Sequence, residues 1–212
     1  MILGQFLPGL IKDNKILDAF KNVPRESFLP DNFKDISYSD LNIKIGHKRY
    51  IPSPFNSAKI LQEANFKGNE MVLLIGSNYG YESVIASKMV DTVIAIEEDK
   101  NIKELAEKNL YDFKIENLVL LNEKHENGHR KLGPYDIIIS LDPFTKITQV
   151  LLEQLAEGGK LFYCEKYNAE VYESKLNVYY KVNKKYIKER LFDLNIPSYI
   201  NTDNTENSFK LI

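Results

Sequence analysis

From residue 71 onward the chain alternates short apolar runs with amphipathic stretches. The apolar runs cover 71–75, 92–96, 118–121, 136–141 and 160–164, and helical patterns fall at 82–89, 101–110 and 150–155. Strands alternating with helices at this spacing predict βαβ units, and so a parallel sheet joined by right-handed crossovers. The expectation is a doubly wound, Rossmann-like α/β fold around a seven-stranded, mostly parallel sheet. After Cys164 the period shortens to two over 171–182 and 186–191, with the polar pair Asn183-Lys184 between them, which predicts a C-terminal antiparallel hairpin.

Before residue 71 the pattern is different. Ile16, Leu17, Ala19 and Phe20 fall at helical spacing, and the stretch ends near Val23-Pro24 because proline disfavours helix in the residue before it. Turn-rich segments follow as far as Pro54, and a second helix begins at Ser57 through Ala58, Ile60, Leu61 and Ala64. The chain therefore reads as one domain over 1–212, with an N-terminal helical cap (1–56), a Rossmann-like core (57–194) and a tail (195–212) rich in Asn, Thr, Asp and Ser that has little to bury.

Composition adds mainly exclusions. With 212 residues, 43% hydrophobic and 27% charged, the chain can hold a core without staples. Its single cysteine, Cys164, lies in an apolar run and reads as a small buried hydrophobe. A net charge of −2 gives no footprint for nucleic acid, and no apolar run reaches the roughly 20 residues that span a bilayer. The first eleven residues are apolar but lack a basic start and a small-residue cleavage site. The cytoplasm is the expected compartment, with neither nucleic acid nor membrane as partner, and a monomer or small homo-oligomer as the expected state. His47, His125 and His129 have no companion cysteines and read as surface or turn residues, so no metal site is expected.

Candidate chemistry concentrates at Val72-Leu73-Leu74-Ile75-Gly76-Ser77-Asn78-Tyr79-Gly80-Tyr81, a buried strand entering a helix through a glycine-bearing turn. In a doubly wound sheet ligands sit at the carboxyl ends of strands, where glycine lets the backbone come close. The dinucleotide pattern G-x-G-x-x-G finds glycine only at Gly76, whereas G-x-G-x-G finds Gly76 and Gly80, with Asn78 a residue that tolerates the left-handed conformation. A second strand ends in Glu97, about 20 residues beyond Gly76, a spacing that sets a carboxylate beside the turn to accept from both hydroxyls of a ribose. Turn, spacing and acid together point to a nucleoside-type ligand.

The stretch Val23-Pro24-Arg25-Glu26-Ser27-Phe28-Leu29-Pro30, then Tyr38-Ser39-Asp40, Ile45-Gly46 and Pro54, resembles the N-terminal signature of the protein-L-isoaspartate O-methyltransferases. The likeness continues in the same order through Gly76 to Tyr81, Ile96-Glu97, Pro134 to Ile138 and Leu155 to Leu161. The resemblance implies a class I methyltransferase fold with S-adenosylmethionine as cofactor. It implies esterification of the free α-carboxylate of isoaspartyl residues in damaged proteins or peptides as the reaction. Gly76, Ser77, Asn78 and Gly80 would then lie at the methionine end and Glu97 on the ribose, with Tyr81 and Glu98 completing the cofactor set. Ser53 is the candidate catalytic side chain. The nucleophile, a carboxylate with a pKa of about 3.5, is already ionised at neutral pH, so the reaction needs alignment and exclusion of water more than a base.

Three positions depart from the family pattern. Leu74 stands where members carry an acid that holds the cofactor's ammonium group, a loss worth about 1.5–3 kcal/mol. Lys124-His125 replaces an acidic turn near the adenine. In Tyr50-Ile51-Pro52-Ser53 proline occupies the position of a substrate-contacting serine, leaving Ser53 one residue displaced. An arginine-containing version of this segment, like Arg49 here, and an ending like Leu191-Phe192-Asp193 resemble a shorter bacterial branch of the family. These changes motivate an alternative, a non-catalytic methyltransferase-fold binding or scaffold protein. Asp142-Pro143-Phe144 after a strand end motivates a third, an amino-group methyltransferase.

Overall fold

The computed structural model describes residues 1–46, 49–166 and 174–197. A π-helical turn, Ile2–Phe6, opens the cap, and helix α1 (Asn14–Asn22) follows, with Asp13 accepting from the Lys15 N–H as its N-cap. Its stripe of Ile16, Ala19 and Phe20 is buried. The helix stops at Val23, which has extended backbone ahead of Pro24, as the steric restriction before proline demands. Two 3-10 turns, Arg25–Phe28 and Asp31–Ile36, lead to a two-stranded antiparallel ribbon of β1 (Ile43–Lys44) and β2 (Tyr50–Ile51).

Helix α2 spans Pro54–Ala64. It begins three residues earlier than the apolar spacing suggests, because Ser53 caps it through a 3.2 Å bond from the Asn56 N–H and Pro54 occupies the first turn, where its missing N–H has no partner to lose.

The seven-stranded sheet has the order β5-β4-β3-β6-β7-β8-β9. Its parallel strands are β3 (Met71–Ile75), β4 (Thr92–Ile96), β5 (Leu118–Leu121), β6 (Tyr135–Ser140) and β7 (Leu155–Lys166). Strands β8 (Ser174–Val182) and β9 (Lys185–Leu194) run antiparallel beyond β7. The turn Asn183-Lys184 has positive φ at both residues, which matches the right-handed twist of the hairpin it joins. Helices α3 (Tyr81–Ser87), α4 (Lys100–Phe113) and α5 (Gln149–Glu153) complete the crossovers. Between β5 and β6 there are only the 3-10 turns His125–Asn127 and Arg130–Leu132.

The central strands are buried on both faces, as parallel strands covered by helices must be. Val72 and Leu74 of β3 join a core with the cap helices and α3, whereas Leu73 and Ile75 join a second core with Leu151 and Leu152 of α5. The run read at 160–164 starts five residues earlier in the structure, because β7 carries an irregularity between the pairs Tyr135–Leu155 and Ile137–Lys160 that lets pairing begin ahead of the apolar stretch. The expected hairpin residues 171–173 and the tail from residue 198 lie outside the described residues. Among the described residues no helix is long and apolar enough to cross a membrane.

Cys164 is fully buried on β7, and desolvation pushes its thiol up to about 12. Only on the order of one thiol in ten thousand is thiolate at pH 8, so a thiol-reactive disulfide reagent is expected to leave the folded protein unmodified and to titrate one thiol after denaturation. Rapid reaction of the native protein would contradict this packing.

Candidate functional site

The sheet order reverses between β3 and β6. From β3 the chain builds outward through β4 and β5, then returns to β6 on the other side. The crevice beyond the carboxyl ends of the strands at such a reversal is where α/β sheets bind ligands. Four segments meet there: the turn after β3, Glu97 after β4, Asp142 after β6, and Arg49 next to β2.

The turn is set by backbone geometry. Gly76 has φ +77°, Asn78 +51° and Gly80 +96°. A Cβ on Gly76 would stand 3.0 Å from the Asp142 Cγ, and one on Gly80 would press on Leu110 at 3.3 Å, so both positions combine a left-handed backbone with a close neighbour. The Gly76 and Ser77 N–H groups donate to the Ile96 carbonyl at 3.0 and 3.1 Å, which fastens the turn to the end of β4. Ser77 is buried, its hydroxyl 2.9 Å from that of Ser83.

Glu97 is fully buried and its carboxylate is saturated. Oε1 accepts from Asp99 N–H at 3.0 Å and from Arg49 Nη1 at 2.7 Å. Oε2 accepts from Asn78 N–H at 2.9 Å and from Arg49 Nη2 at 2.7 Å. The arginine therefore forks onto the acid, and Nη2 also donates to Asn78 Oδ1 at 2.8 Å. Its Nε lies 3.3 Å from Asp142 Oδ2, an ion contact without hydrogen-bond geometry. Burial works against the charged guanidinium, but Asp142, Glu97 and Glu98 together hold its pKa above the ordinary arginine value.

His125 is the second basic side chain at the site. The expectation of a turn residue holds, but it is buried, not on the surface. Its Nδ1 lies 2.8 Å from Asp142 Oδ2, while Nε2 accepts from the Glu98 N–H at 3.2 Å. Burial opposes protonation, yet Asp142 raises the ring's pKa above its ordinary value. The Glu98 N–H pulls the other way, because it needs the lone pair on Nε2. For Asp142 itself, burial favours the neutral acid, but Arg49 and His125 overcome it and lower the pKa.

Of the residues singled out from sequence, Gly76, Ser77, Asn78, Gly80 and Glu97 come together, with the Glu98 backbone beside them. The Glu98 side chain is half exposed, its Oε2 accepting from the His125 N–H at 3.3 Å. Tyr81 is not brought to this group. Its ring packs into the cap core, edge-on to Phe20 and Phe28 at 5.8 and 5.4 Å, with Arg25 over its face. Ser53 is buried with its hydroxyl engaged in capping α2. Leu74 is buried in apolar core. His47 lies outside the described residues, and His129 contacts Glu123 away from the cluster, at 3.3 Å. Among the described residues no group of three or more His, Cys, Asp or Glu is arranged to hold a metal ion.

The likeness to the family sets His125 at a turn near the adenine and Arg49 in the segment before α2, but sequence reasoning gives neither residue its partner. Nothing local marks them: Arg49 meets a carboxylate 48 positions away, and His125 sits in a polar stretch without periodicity.

The mostly parallel seven-stranded sheet closed by an antiparallel pair, with a G-x-N-x-G turn after β3 and an acid closing β4, is a class I methyltransferase fold, the class that uses S-adenosylmethionine. A crystal structure from Plasmodium falciparum, described as a β-aspartate methyltransferase in complex with S-adenosyl-L-homocysteine, superposes with a TM-score of 0.77 at 25% identity, covering 92% of this chain and 94% of that one. Residues 5–193 match the sequence model of the protein-L-isoaspartate(D-aspartate) O-methyltransferase family. A protein-L-isoaspartate O-methyltransferase 1 of Syntrophobacter fumaroxidans is 31% identical over 161 residues, 76% of this chain and 75% of that one. A protein-L-isoaspartate O-methyltransferase of Vibrio campbellii is 32% identical over 151 residues, 71% and 73% of the two chains. The chain belongs to the protein-L-isoaspartate(D-aspartate) O-methyltransferase family.

The residues present fit S-adenosylmethionine. Glu97 is a buried carboxylate that accepts from two donors of one side chain, the kind of acceptor that the two hydroxyls of a ribose need. Asn78 Nδ2 is buried at the turn without a hydrogen-bond partner among the described residues. Although position 74 offers no acid, the Asp142 carboxylate lies against Gly76.

Proposed function

We propose that this protein transfers a methyl group from S-adenosylmethionine to the free α-carboxylate of isoaspartyl residues in proteins and peptides. The observation that carries the reading is Glu97: a buried carboxylate at the end of β4, bonded through the Asn78 N–H to the glycine turn and accepting from two donors of one side chain, the kind of acceptor that a ribose diol needs. Gly76, Ser77, Asn78 and Gly80 line the methionine end of the cofactor, Glu97 takes the ribose, and the Glu98 backbone continues that wall. Ser53 is a positioning residue: by fixing the start of α2 it sets the path of Tyr50–Ile51 and Pro52 toward the crevice.

Bound S-adenosylmethionine supplies an electrophilic methyl on a sulfonium. The chain's task is to hold the carboxylate in line with it and to keep water out. The incoming group is already an anion, so no side chain has to remove a proton. Alignment of two bound reactants is worth several orders of magnitude in rate, provided the reacting atoms approach to about 3–3.5 Å.

The test is transfer of a labelled methyl group to a pair of peptides that differ only in an isoaspartyl or a normal aspartyl linkage. Base-labile label on the isoaspartyl peptide alone is the expected result. Equal labelling of both, or of neither at saturating cofactor, overturns the reading.

A further inference from the structure

The Glu97 carboxylate has no acceptor position left over. Two of its four hydrogen bonds come from backbone N–H groups fixed by the fold, Asn78 and Asp99, and the other two from Arg49. A ribose diol and Arg49 are therefore mutually exclusive ligands of the same acid, and cofactor binding has to move the arginine.

The surroundings define where it goes. Arg49 precedes β2, part of a two-stranded ribbon that does not belong to the seven-stranded sheet, so its backbone is not locked by the parallel ladder. Its link into the ribbon is the Ile45 N–H donating to the Arg49 carbonyl at 3.0 Å. Once off Glu97, the guanidinium keeps its neighbour Asp142, 3.3 Å from Nε, and so stays beside Gly76 and the turn.

Charge supplies the next step. Glu97, Glu98 and Asp142 converge on Arg49 in this crevice, and a substrate carboxylate entering it meets repulsion unless a cation faces it. Both His125 nitrogens are already used, on Asp142 and on the Glu98 N–H, and Lys166, whose charge also acts on Asp142, offers a point charge rather than a planar fork. Arg49 carries a planar fork that binds carboxylates bidentately, has just lost its carboxylate partner, and is side-chain buried to within 11%. A buried guanidinium left with a single acid is costly, and a second carboxylate removes that cost.

We propose that Arg49 is the residue that receives the substrate carboxylate, and that the cofactor delivers it by displacing it from Glu97. The inference rests on the reading of the preceding subsection for the identity of the substrate. It makes binding ordered, cofactor before peptide, and makes the two ligands mutually reinforcing, since each takes one partner of a pair that otherwise satisfies itself.

Calorimetric titration of S-adenosylhomocysteine into the whole protein reads the first half without any turnover. Arg49→Gln is expected to bind it about tenfold more tightly than the wild type, because Glu97 is no longer occupied. Saturating isoaspartyl peptide is expected to tighten S-adenosylhomocysteine binding to the wild type and to leave Arg49→Gln unaffected. In steady-state assays Arg49→Gln should raise the peptide KM roughly 10- to 100-fold with a smaller change in kcat. Arg49→Lys, which keeps the charge but not the fork, should recover part of that loss. Unchanged or weaker S-adenosylhomocysteine binding by Arg49→Gln overturns the displacement, and an unchanged peptide KM overturns the carboxylate role. If the wild type labels no isoaspartyl peptide, it is the proposed function that fails, and the tenfold gain or its absence in Arg49→Gln still decides the exchange at Glu97.

Discussion

Glu97→Ala is expected to weaken S-adenosylhomocysteine binding by at least about 100-fold, because two hydrogen bonds to a charged acceptor, each worth about 1.5–3 kcal/mol, are lost together. The same change strands the Asn78 and Asp99 N–H groups that now donate to the carboxylate, so the turn itself loosens. Glu97→Gln separates the effects. It preserves the shape and one acceptor while removing the charge, and should fall between the wild type and the alanine variant. Calorimetry gives the affinity, and circular dichroism on each variant shows whether the fold survives. Folded Glu97→Ala protein that binds the ligand as tightly as the wild type would remove this acid from the cofactor site. The contrast with Arg49 is diagnostic, since the two partners of one ion pair are expected to change affinity in opposite directions.

The largest loss of stability is expected away from the crevice. Arg25, from the octapeptide 23–30, is fully buried and reaches Glu82 of α3 at 3.2 Å and the Pro52 carbonyl at 2.7 Å. Glu82 Oε1 also accepts from the Ser57 hydroxyl at 2.8 Å, while its Oε2 has no hydrogen-bond partner among the described residues. Removing the guanidinium alone leaves a buried carboxylate almost uncompensated, which costs about 3–5 kcal/mol. At about 2–4 °C per kcal/mol for a chain of this size, Arg25→Ala should lower the melting temperature by roughly 6–20 °C. The double replacement Arg25→Met with Glu82→Leu should recover most of it, because the uncompensated charge is gone. A single variant that melts within about 3 °C of the wild type would mean that the pair contributes little.

That octapeptide shows what a sequence can and cannot give. Its order is specific enough to mark the family, yet nothing in its local pattern says why. The structure supplies the reason: Val23 ends α1, Arg25 ties the cap to α3, Phe28 stacks on Phe113 at 4.6 Å, and Leu29 is buried. Strands β3 and β4 are legible with their bounds, because central parallel strands are continuous apolar runs closed by glycine or acid, and the edge strand β5 is legible as a short apolar run. The start of β7 is not, since Leu155 to Gly159 reads as a helix end and a turn until the irregular pairing with β6 is known. In the crevice, the turn and Glu97 follow from spacing along the chain. Arg49 and His125 arrive through tertiary contacts across 48 and 27 positions, and no periodicity encodes those.

Asn195, just beyond β9, accepts through its side chain from Asn56 Nδ2 at the start of α2 and through its carbonyl from Asn42 Nδ2. Asn42 in turn accepts from the Ser53 N–H, so the ribbon that carries Arg49 is fastened by a residue 139 positions after α2 begins to form. At a synthesis rate of about 5–20 residues per second, that closure comes roughly 7–30 s after α2 has been made. Contacts this distant in sequence also slow folding itself. The last bonds that fasten this ribbon can thus form only after β9 has been made, well after the central strands and the glycine turn, while Ile43 and Ile51 are already able to bury themselves in the core.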